Sequence, residues 1–426
     1  MGSFRVSIMG ESGQDKRIAD LELMLQITRS LGAATELQKL LEVIVDAGMR
    51  MLDAERGSVF LYDPDARELF SVVSTGATGI RFSIDRGIAG AAALSMQVIN
   101  VPDAYADDRF NQEIDKKTGF HTRNILSCPL RGYDGELTGV LQLLNKKQGP
   151  FTDYDQQLAE ALGSQAGVAL QRARLIEHYI EKQRMSRDLE IAKEIQHNLL
   201  PHEDPSIAGY QIASDFEPCD ETGGDCYDFL LLPENRLMFM LGDATGHGVG
   251  PALVSAETRA LLRSAASLTN DIEKIIELVN SLLAQDLPGN RFATVFLGII
   301  DTIKHNMVYA SAGQGPVLIY QAESSQVDQL EVTGIPLGIM ADFKYDVTKP
   351  RTFKSGDIVL LLTDGFYEWT NPAGDLFGAD RAAKILCDNA KQPAQKILQT
   401  IRDEVQKFAQ GTRQTDDLTA IVIKRD

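Results

Sequence analysis

Positive charge is what this 426-residue chain is short of: 42 lysines and arginines stand against 60 aspartates and glutamates, a formal net charge of -18. Such a surface repels nucleic-acid phosphates and anionic lipid headgroups within a Debye length. Neither nucleic acid nor a membrane is therefore an expected partner. Long hydrophobic runs are missing too, and no basic region followed by an apolar one opens the chain, so no membrane span and no leader are expected. Cysteine is scarce. Of Cys128, Cys219, Cys226 and Cys387 only the middle two lie near each other, and no second pair follows at zinc-site spacing. That usage points to a reducing compartment, and the expected location is cytoplasmic. The chain also has neither GxSxG nor a reactive CxxxxxR, and without GxxxxGK[ST] it lacks a P-loop phosphate cradle.

What is present has the composition of a folded globular chain, 44% apolar and 24% charged, and is too long for a single core. Residues 1–18 read as a flexible tail. LELMLQITRSL and LQKLLEVIVDAGMRML carry apolar residues at three and four spacing around a break at GAAT, which predicts two amphipathic helices. SVFLYDPDARELFSVVS and ILSCPLRGYDGELTGVLQLLNKK follow as two hairpins with Asp-Pro-Asp and Tyr-Asp-Gly at their turns. No proline lies between Phe151 and Pro201, and a continuous helix from Asp155 to Leu200 would be roughly 70 Å long. Within it Met185, Leu189, Ala192, Gln196 and Leu199 form a short seam with one polar member. A solvated connector and a parallel dimer seam both remain open. After Pro201 many β-rich stretches alternate with a few helical ones, which predicts a layered sheet domain covered by helices.

Four acidic positions of this second domain share one context. Asp225 follows Gly-Gly ahead of a strand, Asp243 ends the strand LMFMLG, Asp364 ends IVLLLT, and Asp416 and Asp417 precede LTAIVI. One such aspartate is ordinarily a turn residue. Four at strand ends can converge, and carboxylates that close raise one another's pKa unless cations neutralise them. Hard oxygen donors suit magnesium or manganese, and two such ions about 4 Å apart can clamp a phosphoryl group for in-line attack.

GGDCYDF (223–229), GDATGHGVGPALVSA (242–256), YASAGQGP (309–316), LLLTDGFYEW and QTDDLTAIVI, in that order, resemble the bacterial SpoIIE/RsbU-like branch of the PPM, or type 2C, metal-dependent Ser/Thr protein phosphatases. The entry segment LEIAKEIQHNLLP is also typical of that branch. The resemblance implies a sandwich of two antiparallel sheets flanked by helices, with two Mn2+ or Mg2+ ions per site. It implies that Asp225 and Asp243 hold one ion with the Ala244 carbonyl. Asp243 then bridges to a second, held by Asp364 and by either Asp416 or Asp417. Asp243 and Asp364 would be the catalytic centre. The implied substrate is a phosphoserine or phosphothreonine protein, typically a STAS-domain anti-sigma-factor antagonist. Thr245 stands where eukaryotic members have a histidine general acid, and their phosphate-binding arginine has no evident counterpart. His247 is read as shaping the glycine turn and capping the next helix. The helix beginning near Pro251, just after the metal loop, is the candidate coupling element.

Residues 19–175 resemble a GAF domain. Asn145, Lys146, Phe151 and Asp155 fit the NKxnFxxxDE pattern, with Gln156 in place of its final glutamate. Lys146 and Asp155 are expected to form an exposed pair across the loop, Cys128 to be a buried structural thiol, and no ligand is assigned. The expected architecture is α+β: a tail (1–18), a GAF sensor (19–175), a helical, possible coiled-coil linker (176–200) and a PPM phosphatase sandwich (201–426), with homodimerisation through the linker and the GAF domain. Two other readings stand beside it. A non-catalytic scaffold would lack some of the carboxylates. A GGDEF-type cyclase wants a glutamate and a phenylalanine where Cys226 and Tyr227 follow.

Overall fold

A computed structural model describes residues 11–34, 36–74 and 79–426. It divides into two units between Gln183 and Arg184. Among the described residues no helix is long and apolar enough to cross a membrane.

The first unit opens with α1 (Glu11–Ala33) and α2 (Leu37–Met51), the two apolar periodicities. Residues 11–18 of the expected tail are therefore helical, and its first ten residues lie outside the described ones. Next come β1 (Ala54–Asp63), β2 (Glu68–Ser74), β3 (Arg81–Ser83), α3 (Gly87–Ser95), β4 (Ile99–Val101), α4 (Gln112–Thr118), β5 (Ile125–Arg131), β6 (Leu137–Lys146) and α5 (Asp153–Leu199). The strands form one antiparallel sheet in the order β3-β2-β1-β6-β5-β4. Strand alternation sorts the core: Val59, Leu61, Leu141 and Leu143 pack toward α2 and the first turns of α5, whereas Phe60 and Val140 pack toward Ala89 and Ala92 of α3.

The GAF-pattern residues latch β6 to α5. Buried Asn145 accepts a bond from the Arg123 N–H at 2.6 Å and donates to Glu55 and the His121 carbonyl. Lys146 pairs with Asp155, which also accepts from the Thr152 N–H at 2.7 Å. The expectation of an exposed pair is corrected: the two side chains are 16% and 7% exposed, because Asp155 sits under the loop it braces. Cys128 is buried, its thiol against the Ala159 carbonyl.

The second unit contains the last turns of α5 and then β7 (Tyr210–Glu217), β8 (Asp225–Leu232), β9 (Arg236–Ala244), α6 (Val249–Leu268), α7 (Ile272–Asp286), β10 (Ala293–Asp301), β11 (Asn306–Ala312), β12 (Val317–Gln321), β13 (Gln326–Leu330), β14 (Arg351–Thr352), β15 (Ile358–Leu362), α8 (Asp364–Glu368), α9 (Ala379–Asn389), α10 (Ala394–Ala409) and β16 (Leu418–Arg425). Two five-stranded antiparallel sheets result, β14-β11-β10-β9-β8 and β13-β12-β15-β16-β7. Val359, Leu361, Ile421 and Ile423 meet Phe239, Leu241 and Phe296 in the core between the sheets. The alternate residues Ile358, Leu360, Leu362, Ala420 and Val422 face Leu386, Ile397 and Ile401 of α9 and α10. Helices α6 and α7 cover the outer face of the first sheet, giving four layers, helix, sheet, sheet, helix.

Candidate metal centre

Strand register brings the acidic positions to one end of the sandwich. Asp225, first residue of β8, pairs with Asp243 near the end of β9, and Thr294 of β10 pairs with Asp243 from the other side. In the second sheet β15 ends one residue before Thr363, whose N–H donates to the Thr419 carbonyl of β16 at 3.0 Å. Asp364 and the Asp416–Asp417 pair thus flank the same edge. Asp225 is almost wholly buried, and its Oδ2 accepts from Thr363 Oγ1 at 2.8 Å and from Thr419 Oγ1. These two bonds reach from the first sheet to the second and satisfy a carboxylate that burial would otherwise penalise.

The neighbours Asp416 and Asp417 do different things. Asp417 Oδ1 accepts from the Cys219 N–H at 2.8 Å, and its Oδ2 from the Gly224 and Asp225 N–H groups at 2.5 and 3.3 Å. Both its oxygens are engaged with the 219–225 loop. A methyl group on Gly223 would sit 2.5 Å from Oδ2, so only glycine lets that carboxylate in. Asp416 accepts one bond, from the Asp417 N–H to Oδ1 at 2.9 Å. A side chain on Gly365 would overlap the Asp417 carbonyl, so α8 packs directly on the 416–417 segment and sets Asp364 beside Asp416.

The centre is a crowded set of like charges. Burial, then Asp364 and Asp416, push the Asp243 carboxyl up to about 8. Burial, then Asp416 and Glu368, push Asp364 up to about 6. Burial, then Asp243 and Asp417, hold Asp225 well above the usual carboxylate range. The main chain adds oxygens: a methyl group on Gly224 would lie 2.7 Å from the Ala244 carbonyl and 2.8 Å from that of Gly246. A donor set of carboxylates and carbonyls with raised carboxyl pKa values fits hard divalent cations. Among the described residues, Asp225, Asp243 and Asp364 do not crowd three donor atoms within 4.8 Å.

Two helices grip the glycine pair that opens β8. Gln196 near the end of α5 is buried; its Nε2 donates to the Gly223 carbonyl at 2.6 Å and its Oε1 accepts from the Gly223 N–H at 3.0 Å. Ser255 of α6 donates to the Gly224 carbonyl. Asp228, which strand alternation puts on the face away from Asp225, pairs instead with Arg259 and Arg263 of α6 at 3.1 and 2.8 Å. His247 does not cap α6: Gly248 is the N-cap residue, with no side-chain cap bond, and the His247 ring lies 2.6 Å from Asp220.

Residue-level reading of the sequence missed Gln196, Arg291 and Glu368 here. Gln196 leaves a signal, a polar residue in an apolar row, but that row reads equally as a solvated connector and as a seam between chains, neither of which points to Gly223. Arg291 left none in the chain order. Its guanidinium lies on Gly250 at the start of α6, so close that a methyl group there would overlap it. The neighbouring Phe292 carbonyl accepts from the Thr245 N–H at 3.0 Å, which ties Arg291 to the Asp243 loop.

Residues 233–426 match the family described as Stage II sporulation protein E (SpoIIE), and residues 36–170 match the GAF domain. Protein IcfG of Synechocystis is 29% identical over 266 residues, 56% of this chain and 42% of that protein. The phosphoserine phosphatase RsbU of Bacillus subtilis is 27% identical over 244 residues, 57% of this chain and 72% of that protein. The solved SiaA-PP2C domain of Pseudomonas aeruginosa superposes with a TM-score of 0.51 at 22% identity, covering 58% of this chain and 98% of that domain; this is a likeness of fold. The chain thus spans less than half of one of these curated relatives and about three quarters of the other.

Proposed function

The chain carries a GAF domain followed by a phosphatase domain of the SpoIIE/RsbU-like, PP2C type, and from that premise we propose that it is a signal-regulated, metal-dependent protein serine/threonine phosphatase. The observation that carries the reading is the convergence of Asp225, Asp243, Asp364 and Asp416, with the Ala244 carbonyl, at one end of the sandwich, where burial and mutual repulsion raise the carboxyl pKa values of Asp225, Asp243 and Asp364. Asp225, Asp243 and the Ala244 carbonyl would hold one cation, and Asp243, Asp364 and Asp416 a second, manganese or magnesium. Asp417 braces the loop, its two oxygens accepting from three main-chain N–H groups, which leaves Asp416 the freer of the two neighbours to act as a ligand.

When bound, the cations neutralise the carboxylates and act as Lewis acids toward the phosphoryl group. The chain's own residues do the rest. Arg291, which has no carboxylate partner among the described residues, donates its guanidinium N–H groups to the phosphate oxygens of the substrate beside the metal loop. Water attacks phosphorus, the bond to the serine or threonine oxygen breaks, and inorganic phosphate and the free hydroxyl leave. The substrate is a phosphorylated STAS-domain protein, an anti-sigma-factor antagonist, in the cytoplasm. The active species is a homodimer through residues 176–200 and the GAF domain.

The test is hydrolysis of a phosphoserine STAS protein by the purified chain. Turnover is expected only with manganese or magnesium, and Asp364→Asn is expected to remove most of it. Turnover in chelator, or an unaffected variant, overturns the mechanism. Arg291→Ala is expected to raise KM more than it lowers kcat.

A further inference from the structure

Beside the oxygen-lined centre lies a second cluster of different chemistry. Cys219 and Asp220, in the loop between β7 and β8, and His247, in the loop between β9 and α6, present a thiol, a carboxylate oxygen and an imidazole nitrogen, all within 4.8 Å of one another. The His247 Nδ1 is 2.6 Å from Asp220 Oδ2, while the other Asp220 oxygen faces Arg413 at 3.6 Å. His247 is 60% exposed and Cys219 and Asp220 are half-buried, so the cluster opens to solvent on one side. The phosphatase reading uses none of these three side chains.

We infer that Cys219, Asp220 and His247 form a third metal site, selective for a borderline transition metal of the zinc class, with its fourth position open to water. Donor separations across a tetrahedral zinc ion with bonds of 2.0 to 2.3 Å are about 3.3 to 3.7 Å. The thiol therefore needs to approach the other two donors by up to about 1 Å, and the His247–Asp220 pair, now at 2.6 Å, to open by somewhat less, movements within reach of two loops. Sulfur and nitrogen donors favour zinc or cobalt over the magnesium and manganese that an all-oxygen set takes. Binding releases the thiol proton to solvent and forms the sulfur-metal bond. Cys219 is also within 4.8 Å of the Asp416 and Asp417 carboxylates, so the site shares a wall with the binuclear centre. Occupancy clamps the loop that leads into Asp225 to the loop that follows Asp243.

The site stands independently of the phosphatase reading, and cobalt spectroscopy separates the two. The metal-free full chain is saturated with magnesium, which fills an oxygen-only site without colour, and is then titrated with Co2+. A near-ultraviolet thiolate-to-cobalt charge-transfer band reaching its limit at one equivalent is expected, with zinc abolishing it. Cys219→Ser, nearly isosteric, is expected to lose the band while keeping the wild-type melting temperature. His247→Gln, at an exposed position where folding is not at stake, is expected to weaken Co2+ binding roughly tenfold or more. No band in the wild-type chain, a band that survives Cys219→Ser, or unchanged affinity in His247→Gln overturns the site.

Discussion

Asp416 and Asp417 are adjacent and identical in chemistry but differently bonded, which makes them the sharpest place to test the proposed site. Asp417→Asn leaves one side-chain oxygen where two accept three main-chain N–H groups, and sets an amide against a donor. A loss of about 1–3 kcal/mol is expected from such a mismatch, read as a lower midpoint in denaturant. Asp416→Asn removes no bond from that loop. It is expected to unfold like the wild type but to need far more manganese for half-maximal turnover. If the two variants exchange phenotypes, the assignment is reversed. The same crowding has a pH signature in chelator-treated protein. Asp364 and Asp243 are raised to about 6 and about 8 in the fold, chiefly by burial, from an ordinary value of 3.8. The fold then binds protons that the unfolded chain releases, so this contribution is complete below about pH 4 and is lost as pH rises through 6 and then 8. The melting temperature of metal-free protein is expected to fall from pH 5 to pH 9, and saturating manganese is expected to remove most of that fall. A flat profile without metal would mean the carboxylates are not crowded.

At the scale of elements, the glycine pair before Asp225 is where helices meet the candidate metal centre. Helix α5 holds Gly223 through two bonds from Gln196, and α6 holds Gly224 through Ser255. One turn further along α6, Arg259 and Arg263 clasp Asp228 of the same strand. A displacement of either helix is thereby a displacement of the peptide that positions Asp225. The GAF unit contributes the other end of α5, whose helix runs unbroken from Asp153 to Leu199. Gln196→Ala is expected to change turnover and manganese affinity several-fold with the binuclear residues intact, and to make activity insensitive to deletion of the GAF unit. Equal kinetics for wild type and variant would remove α5 as the coupling element.

For the whole molecule, the exposed face of α5 is the open question of assembly. Of the row read as a possible seam, Leu189, Ala192, Gln196 and Leu199 lie on the less exposed side of the last turns, with Gln196 spent on Gly223, whereas Met185 is 57% exposed. The apolar side chains these turns leave exposed for a partner include Met185, Ile191 and Ile195, 57%, 49% and 58% exposed. Ile191→Asp with Ile195→Asp is expected to convert a dimer to a monomer in light scattering, by placing like charges where two apolar faces would meet. A wild-type chain that is already monomeric at high concentration would exclude this dimer.

Much of this was legible in the chain order. Apolar spacing at three and four, or at two, comes from local geometry, and it marked α1, α2, both GAF hairpins, the long helix and the strands of the sandwich. Glycine before Asp225 and after Asp243, with acidic residues at strand ends, marked the carboxylates that meet. Local pattern stops at the direction a side chain takes once strands from distant segments pair. Asp417 is aimed at Gly224, 193 residues away in sequence, because the register of β16 against β7 and β15 puts it there. The neighbouring residue, one step along the pleat, is left for Asp364. Arg291 and His247 likewise acquire their neighbours only when β10 and the loop before α6 close on the end of the sandwich. The sequence by itself determined which groups this protein has for chemistry and which elements carry them, since both follow from composition and short-range periodicity. Which oxygen faces a cation, which amide holds the loop and which guanidinium stands over the site were decided by tertiary structure, since each depends on register between segments that local geometry does not couple.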